Sequence, residues 1–292
     1  MTTAPLTLRE VTGAFEAIYD PAWAASWDAV GLVCGDPEQP VSRILFAVDP
    51  VTSVVDEALA WNADLVITHH PLLLGGVNSV AATGPKGRVV HRLIRAGTAL
   101  YTAHTNADTA FPGVSDALAR KVGLTGELRP LAPDPDDPAG RRGIGRVGRL
   151  PATVSLREFA HQAANGLPEV AGGVRVAGDP DRMVDSVAVA GGAGDSLMET
   201  ARTAGVDAYL TSDLRHHPAS EFVEHPAAPA LLDTAHWASE HPWLDDAASR
   251  LVDALRGERT NVDTRISTTP TDAWSQAVRT SRDHGRFPQE ES

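Results

Sequence analysis

The chain has 292 residues, 42% hydrophobic and 22% charged, which fits a folded chain with a sizeable core and excludes disorder as its main state. Asp and Glu number 38 against 25 Lys and Arg, a net charge of −13, which argues against a dedicated DNA- or RNA-binding protein but leaves a nucleotide substrate open, because a bound metal reverses the local field. Cys34 is the only cysteine and cannot pair within its chain, no apolar run is long enough to span a membrane, and MTTAPLTLREV lacks the apolar stretch of a signal peptide, so a cytoplasmic location is expected.

The hydrophobic pattern predicts alternating strands and helices. Strands are expected at 43–48 (RILFAV), 64–68 (DLVIT) and 98–102 (TALYT), and helices at 52–61, 86–96 and 114–122, the last two ending at Gly97 and Gly123. Residues 127–142, rich in Pro, Asp and Arg, read as a linker or exposed loop. Beyond it, strands are predicted at GIGRVGRL, 173–177, 186–190, 207–211, 230–234 and 262–267, with helices near 155–165, 195–204 and 237–256. Alternation of this kind predicts an α/β fold: two α/β lobes with mainly parallel sheets in three α/β/α layers. The first lobe is expected over 1–126, completed by 229–267, the second over 127–228, and a polar, poorly ordered tail over 268–292.

Residues 63–71 read ADLVITHHP and residues 206–218 read VDAYLTSDLRHHP, each a strand ending in Thr followed by His-His-Pro. Duplication and chance similarity both remain open. Either way, chemistry is expected at the carboxyl ends of strands, where open α/β sheets place their ligands.

Eleven histidines are present and they cluster. His69 and His70 follow one predicted strand, His104 with Asp108 another, His236 with Glu240 a third, and His216-His217 a fourth. His104/Asp108 and His236/Glu240 are four apart, so each pair shares one helix face. Imidazole with carboxylate suits Zn, Fe, Mn, Co or Ni. Adjacent His69 and His70 diverge, so each could hold a different ion of a pair joined by a carboxylate. Any one of these histidines alone would more often be structural; three strand ends converging on one side of a sheet predict a metal site. The turn GGAGD at 191–195 could hold a phosphate on its amides, although without a full phosphate-loop pattern a tight turn is the simpler reading. Cys34 reads as a small buried residue, and Trp23 and Trp27 as packing residues.

Six motifs occur in order: Trp27-Asp28-x-Val30-Gly31-Leu32, Ile67-Thr68-His69-His70-Pro71-Leu72, His104-Thr105-Asn106-x-Asp108, Gly191-Gly192-x-Gly194, Thr211-x-Asp213-x-x-His216-His217 and His236-x-x-x-Glu240. From about residue 7 to 267 the chain resembles the NIF-three-like dinuclear metal family, also called GTP cyclohydrolase I type 2 homologues. The resemblance implies metal ligands at His69, His70, Asp108, His236 and Glu240, with Glu240 bridging two divalent ions. It implies a proton-transfer role for His104, and places His216 and His217 near the cavity. It further implies a metal site in the cleft between two lobes and a ring-shaped homohexamer; 127–150 is too short for the inserted domain that some members carry. Departures fall at Ala29, Ser212 and the segment Phe111-Pro112-Gly113-Val114, and none is an implied ligand.

Two functions follow from the resemblance. One is a metal-dependent hydrolase acting on a nucleotide, with metal-activated water attacking the purine ring, His104 and Glu240 being the catalytic candidates. The other is a non-catalytic metal-binding, metal-handling or partner-binding protein.

Overall fold

The computed structural model describes residues 5–256 and 262–278 and shows a mixed α/β fold built on two large sheets. The first has five strands, in the order Asp263–Ile266, Arg43–Ala47, Leu65–Thr68, Ala99–Thr102 and Gly31–Cys34. All neighbours are parallel except the last pair. Alternate residues leave opposite faces: Ile44, Phe46, Leu65, Ile67 and Tyr101 pack against the helices Leu8–Glu16 and Pro242–Leu255. Leu45, Ala47, Val66 and Leu100 pack against Thr52–Ala60 and Pro85–Ala96. Burial on both faces explains why these strands read as unbroken apolar runs rather than as alternation.

The second sheet has six strands, in the order Thr125–Pro133, Gly143–Ser155, Met183–Ala193, Ala208–Ser212, Ala230–Thr234 and Arg175–Ala177. Only the two central pairings, from Met183–Ala193 to Ala230–Thr234, are parallel, so the expectation of mainly parallel strands holds for the first sheet and not for this one. Its faces are covered by the helices Leu156–Gly166 and Val114–Lys121 on one side and Met198–Thr203 on the other.

Residues 127–142 are not a linker. The first part of the stretch, 127–133, lies in the strand Thr125–Pro133, which pairs with Gly143–Ser155, and the rest forms the turn between the two strands. Thr125–Pro133 is an edge strand, so Pro130 and Pro133 can lack a donor on the unpaired side. The turn between the strands is closed by Asp137, whose carboxylate accepts the Arg141 and Arg142 amides at 2.7 Å each. Arg146 is fully buried, pairs with Asp116 at 2.7 Å and donates to the Ala110 carbonyl at 2.6 Å, tying this hairpin to the segment that follows the first sheet. The strand Ala230–Thr234 also belongs to the second sheet, although 229–267 was expected to complete the first lobe; the two helices after it and the strand Asp263–Ile266 return to the first. Of the expected tail, residues 268–278 are described and make defined contacts, while 279–292 lie outside the described residues.

The repeat in the sequence has a structural counterpart. Asp64 receives the Ser42 and Arg43 amides at 2.8 and 2.9 Å, and Asp207 receives the Asp185 and Ser186 amides at 3.0 and 2.8 Å. Each aspartate thus takes two consecutive amides just before the parallel pairing with its own strand begins. Burial alone would raise the Asp207 carboxyl, but the Ser186 amide and hydroxyl and the Asp185 amide outweigh it and hold the group below its usual value. A depressed folded value contributes stability that is present above the unfolded value and lost as pH falls through the folded one. Asp207→Asn is therefore expected to cost about 1 kcal/mol at pH 7, allowing for its partial exposure, with the difference shrinking below about pH 4. Urea unfolding of both proteins across pH 3–7 checks this (about four steps suffice).

Candidate metal centre

Three strands end at the same place. Leu65–Thr68 leads directly into His69 and His70, whose amides continue the ladder to Ala47 and Val48 carbonyls at 3.1 and 2.9 Å. Ala99–Thr102 leads into the short helix Thr105–Thr109, with His104 at its N-cap and Asp108 in its first turn. Ala230–Thr234, from the other sheet, leads into the helix His236–Glu240. The side chains meet. Glu240 Oε1 lies 3.0 Å from His236 Nε2 and 3.5 Å from His69 Nε2, and Glu240 Oε2 lies 3.1 Å from His70 Nε2. Asp108 Oδ1 is 3.7 Å from His69 Nε2. Two groups have donor atoms close enough for one ion: His69, His70 and His104; and His70, His236 and Glu240.

Each imidazole is held from behind through Nδ1. His69 Nδ1 is 3.0 Å from the Ala103 carbonyl, which can only accept, so Nδ1 carries a proton and Nε2 is the ring nitrogen turned to the cluster. His70 Nδ1 lies 2.7 Å from Asp49, His104 Nδ1 2.9 Å from Asp28, and His236 Nδ1 2.7 Å from Asp213. This is how proteins fix the tautomer and ring plane of a metal-ligating histidine. Two buried atoms within the cluster, His69 Nε2 and Glu240 Oε2, have no hydrogen-bond partner; Oε2 is near His70 but not aligned to it. Orphaned buried polar atoms cost free energy unless something else binds them, and imidazole and carboxylate together suit a first-row divalent cation. The residues present therefore fit a metal.

Electrostatics agree. Burial disfavours the charged form of His70 and His236, yet Glu240, with Asp49 at the first and Asp213 at the second, raises them to about 11 and about 9. Burial would raise Glu240, but His70 and His69 hold it well below the usual carboxylate range. Burial and the neighbouring Glu240 push Asp108 up to about 6 despite His69. His104 is lowered by burial and by His69, against the pull of Asp28. Around Glu240 the site therefore favours positive charge on its imidazoles.

The Gly191-Gly192 end of the strand Met183–Ala193 lies against the cluster. A Cβ on Gly192, which has φ +72°, would stand 2.5 Å from Glu240 Oε1 and 3.0 Å from His236 Nε2. Glycine at this strand end thus lets backbone approach the cluster. Gly192 N–H donates to Ser239 and its carbonyl accepts from Thr211. Trp243, fully buried, sets its ring at 5.3 Å from His69. Towards solvent, His236 borders a cavity of about 450 Å³ lined also by Arg175, Asp213, Asp233, Asp272 and Trp274.

All the implied ligands, and His104, are thus brought together. His216 and His217 are not: they open the helix His216–Val223 and belong to neither donor group, His216 lining an adjoining cavity of about 280 Å³. Trp27 is 60% exposed at the edge of His104 rather than packed, whereas Trp23 is partly buried. Cys34 is half-buried, with burial raising its thiol. Asp49 escaped the sequence reading; its only signal was its place just after the strand Arg43–Ala47, where the sheet ends. Asp28 and Asp213 lay in quoted motifs but without a role.

A family model described as Duf34/NIF3 (NGG1p interacting factor 3) matches residues 6–273. The chain belongs to the DUF34/NIF3 family. A Streptomyces coelicolor relative named GTP cyclohydrolase 1 type 2 homolog is 54% identical over 271 residues, covering 93% of this chain and 94% of its own. A Mycobacterium tuberculosis relative of the same name is 37% identical over 379 aligned positions, covering 94% of this chain and 98% of its own. That alignment is longer than the present chain, so this DUF34/NIF3 member lacks segments that the mycobacterial relative carries. A crystal structure of a Bacillus cereus protein related to NIF3 superposes with a TM-score of 0.83 at 23% identity, covering 92% of this chain and 98% of that one. No helix among the described residues is long and apolar enough to cross a membrane.

Proposed function

We propose that the cluster holds two divalent metal ions and that the protein is a metal-dependent hydrolase acting on a nucleotide. The observation that carries the reading is the convergence of the Nε2 atoms of His69, His70 and His236 on one buried carboxylate, with every imidazole locked through Nδ1. His69 with Asp108, and His70 with His236, would hold one ion each, and Glu240 would serve both. Divalent ions bound as a pair supply Lewis acidity and bring the pKa of water towards neutrality. The chain's own residues do the rest. His104, held through Nδ1 by Asp28, offers Nε2 as proton acceptor beside the cluster. The cavity at His236 gives a substrate access from solvent. The homologues' shared name supports GTP as the nucleotide to test first. Two waters would be consumed at C8 of the guanine ring, the first breaking one C8–N bond to leave a formamide and the second breaking the other to release formate.

A second reading, metal handling without turnover, draws on one feature. The cavity is lined by three aspartates and one arginine, and Arg175 is already committed to Asp233. Arg92 and Arg215, other candidates for holding a phosphate, pair with Asp56 and Asp195 and do not line it. Metal analysis of the purified protein followed by incubation with GTP and a nucleotide panel separates the two. Two ions per chain with release of formate or phosphate supports the hydrolase; two ions without turnover supports metal handling; no retained metal rejects both.

A further inference from the structure

The segment after the last strand runs back across the candidate site. Ser267 and Thr269 both donate from their hydroxyls to Glu57, at 2.6 and 2.9 Å, which anchors the start of the segment on the helix Thr52–Ala60. Two residues on, the Thr271 hydroxyl donates to Asp49 Oδ2, while the other oxygen of the same carboxylate, Oδ1, takes the His70 Nδ1 proton at 2.7 Å. Asp272 and Trp274 then line the cavity that His236 borders, and Trp274 is 76% exposed. One end of this stretch thus reaches the support of His70 and the other the mouth of the site.

We propose that Thr271 is a positioning residue of the metal centre, acting on His70 through Asp49. A carboxylate carries two in-plane lone-pair directions at each oxygen, and with Oδ2 pinned by Thr271 the plane of Asp49 is fixed and Oδ1 is aimed at the imidazole. Without the hydroxyl, Asp49 can rotate and the His70 ring is free to turn from Glu240. Among the described residues no other side-chain contact restrains Asp49 Oδ2. Partners one step outside the ligands typically change metal affinity 10- to 100-fold, so a residue one step further out should change it less, roughly three- to tenfold.

This inference rests on the metal reading above, and its test separates the two. The full chain would be stripped with chelator and titrated with Co²⁺, following the visible absorption of the bound ion as well as stoichiometry. Thr271→Val is expected to weaken one of two binding steps about three- to tenfold and to alter its spectrum. Thr271→Ser, which keeps the hydroxyl, should restore both, and Thr269→Val, which loses only the anchor to Glu57, should leave the spectrum of the loaded protein unchanged. Thermal melting of the metal-free proteins reports whether each variant is folded. Wild-type and Thr271→Val with the same affinity and spectrum overturn the positioning role alone, as does failure of Thr271→Ser to rescue; a wild-type protein that binds no Co²⁺ overturns the metal reading and this inference with it.

Discussion

Glu240→Ala is expected to empty the metal centre. The carboxylate is buried and approaches three imidazoles, within 3.0–3.5 Å of the Nε2 atoms of His236, His70 and His69. Each proposed ion loses a ligand in one substitution, and the imidazoles are left without the negative charge that offsets a cation in a buried site. The loss should exceed the roughly 100-fold penalty of disturbing an outer partner. Metal content after purification should fall from two ions per chain to background. Any activity should go with it, and the thermal stabilisation that added metal gives the parent should disappear, because only binding to the folded state raises the melting temperature. Glu240→Gln keeps the shape but not the charge and is expected to behave almost as Ala. Two ions retained in Glu240→Ala would reject the shared carboxylate.

Gly192→Ala is expected to damage the site without removing any ligand. The backbone there is left-handed, at φ +72°, which costs an alanine roughly 1–2 kcal/mol. The added methyl would stand 2.5 Å from Glu240 Oε1 and 3.0 Å from His236 Nε2, closer than carbon approaches either. Relief must come from Glu240 and His236 turning away, since Gly192 is itself held by Ser239 and Thr211. Ligand geometry good to a fraction of an ångström is needed for a first-row ion, so affinity should fall at least about tenfold. The melting temperature of the metal-free protein should fall by several degrees, on the order of 1–2 kcal/mol. Isothermal titration with Zn²⁺ or Mn²⁺ and melting curves read both effects. Gly205→Ala carries a comparable left-handed cost, at φ +69°, with no atom near its Cβ. It should lower stability alone and leave metal affinity intact.

Much of the candidate site was legible because its side chains fall at local landmarks. A strand followed by His-His, or by a helix opening with His-x-x-x-carboxylate, is a pattern of a few residues. His104/Asp108 and His236/Glu240 show it twice. Their environment was not legible. Asp28 is 76 residues from His104, Asp49 21 from His70, and Asp213 23 from His236, and an aspartate facing solvent looks the same in sequence as one behind an imidazole. The edge strand Thr125–Pro133 was hidden by its prolines, which mark a loop unless the free side of the strand is known. His216-His217 copies the His-His-Pro of the first half but falls four residues beyond the strand end Ser212, on the helix His216–Val223, where His216 lines the adjoining cavity instead of entering the cluster.

By itself the sequence determined the alternation of strands and helices, the buried runs of the first sheet and the residue types at the strand ends, because these depend on periodicity and on neighbours one turn away. The tertiary structure decided which sheet each strand joined, which aspartate stands behind each imidazole, and how closely Gly192 and residues 267–278 approach the cluster. Those depend on long-range packing, where a contact between residues far apart in the chain is set by the fit of whole elements and leaves no local trace.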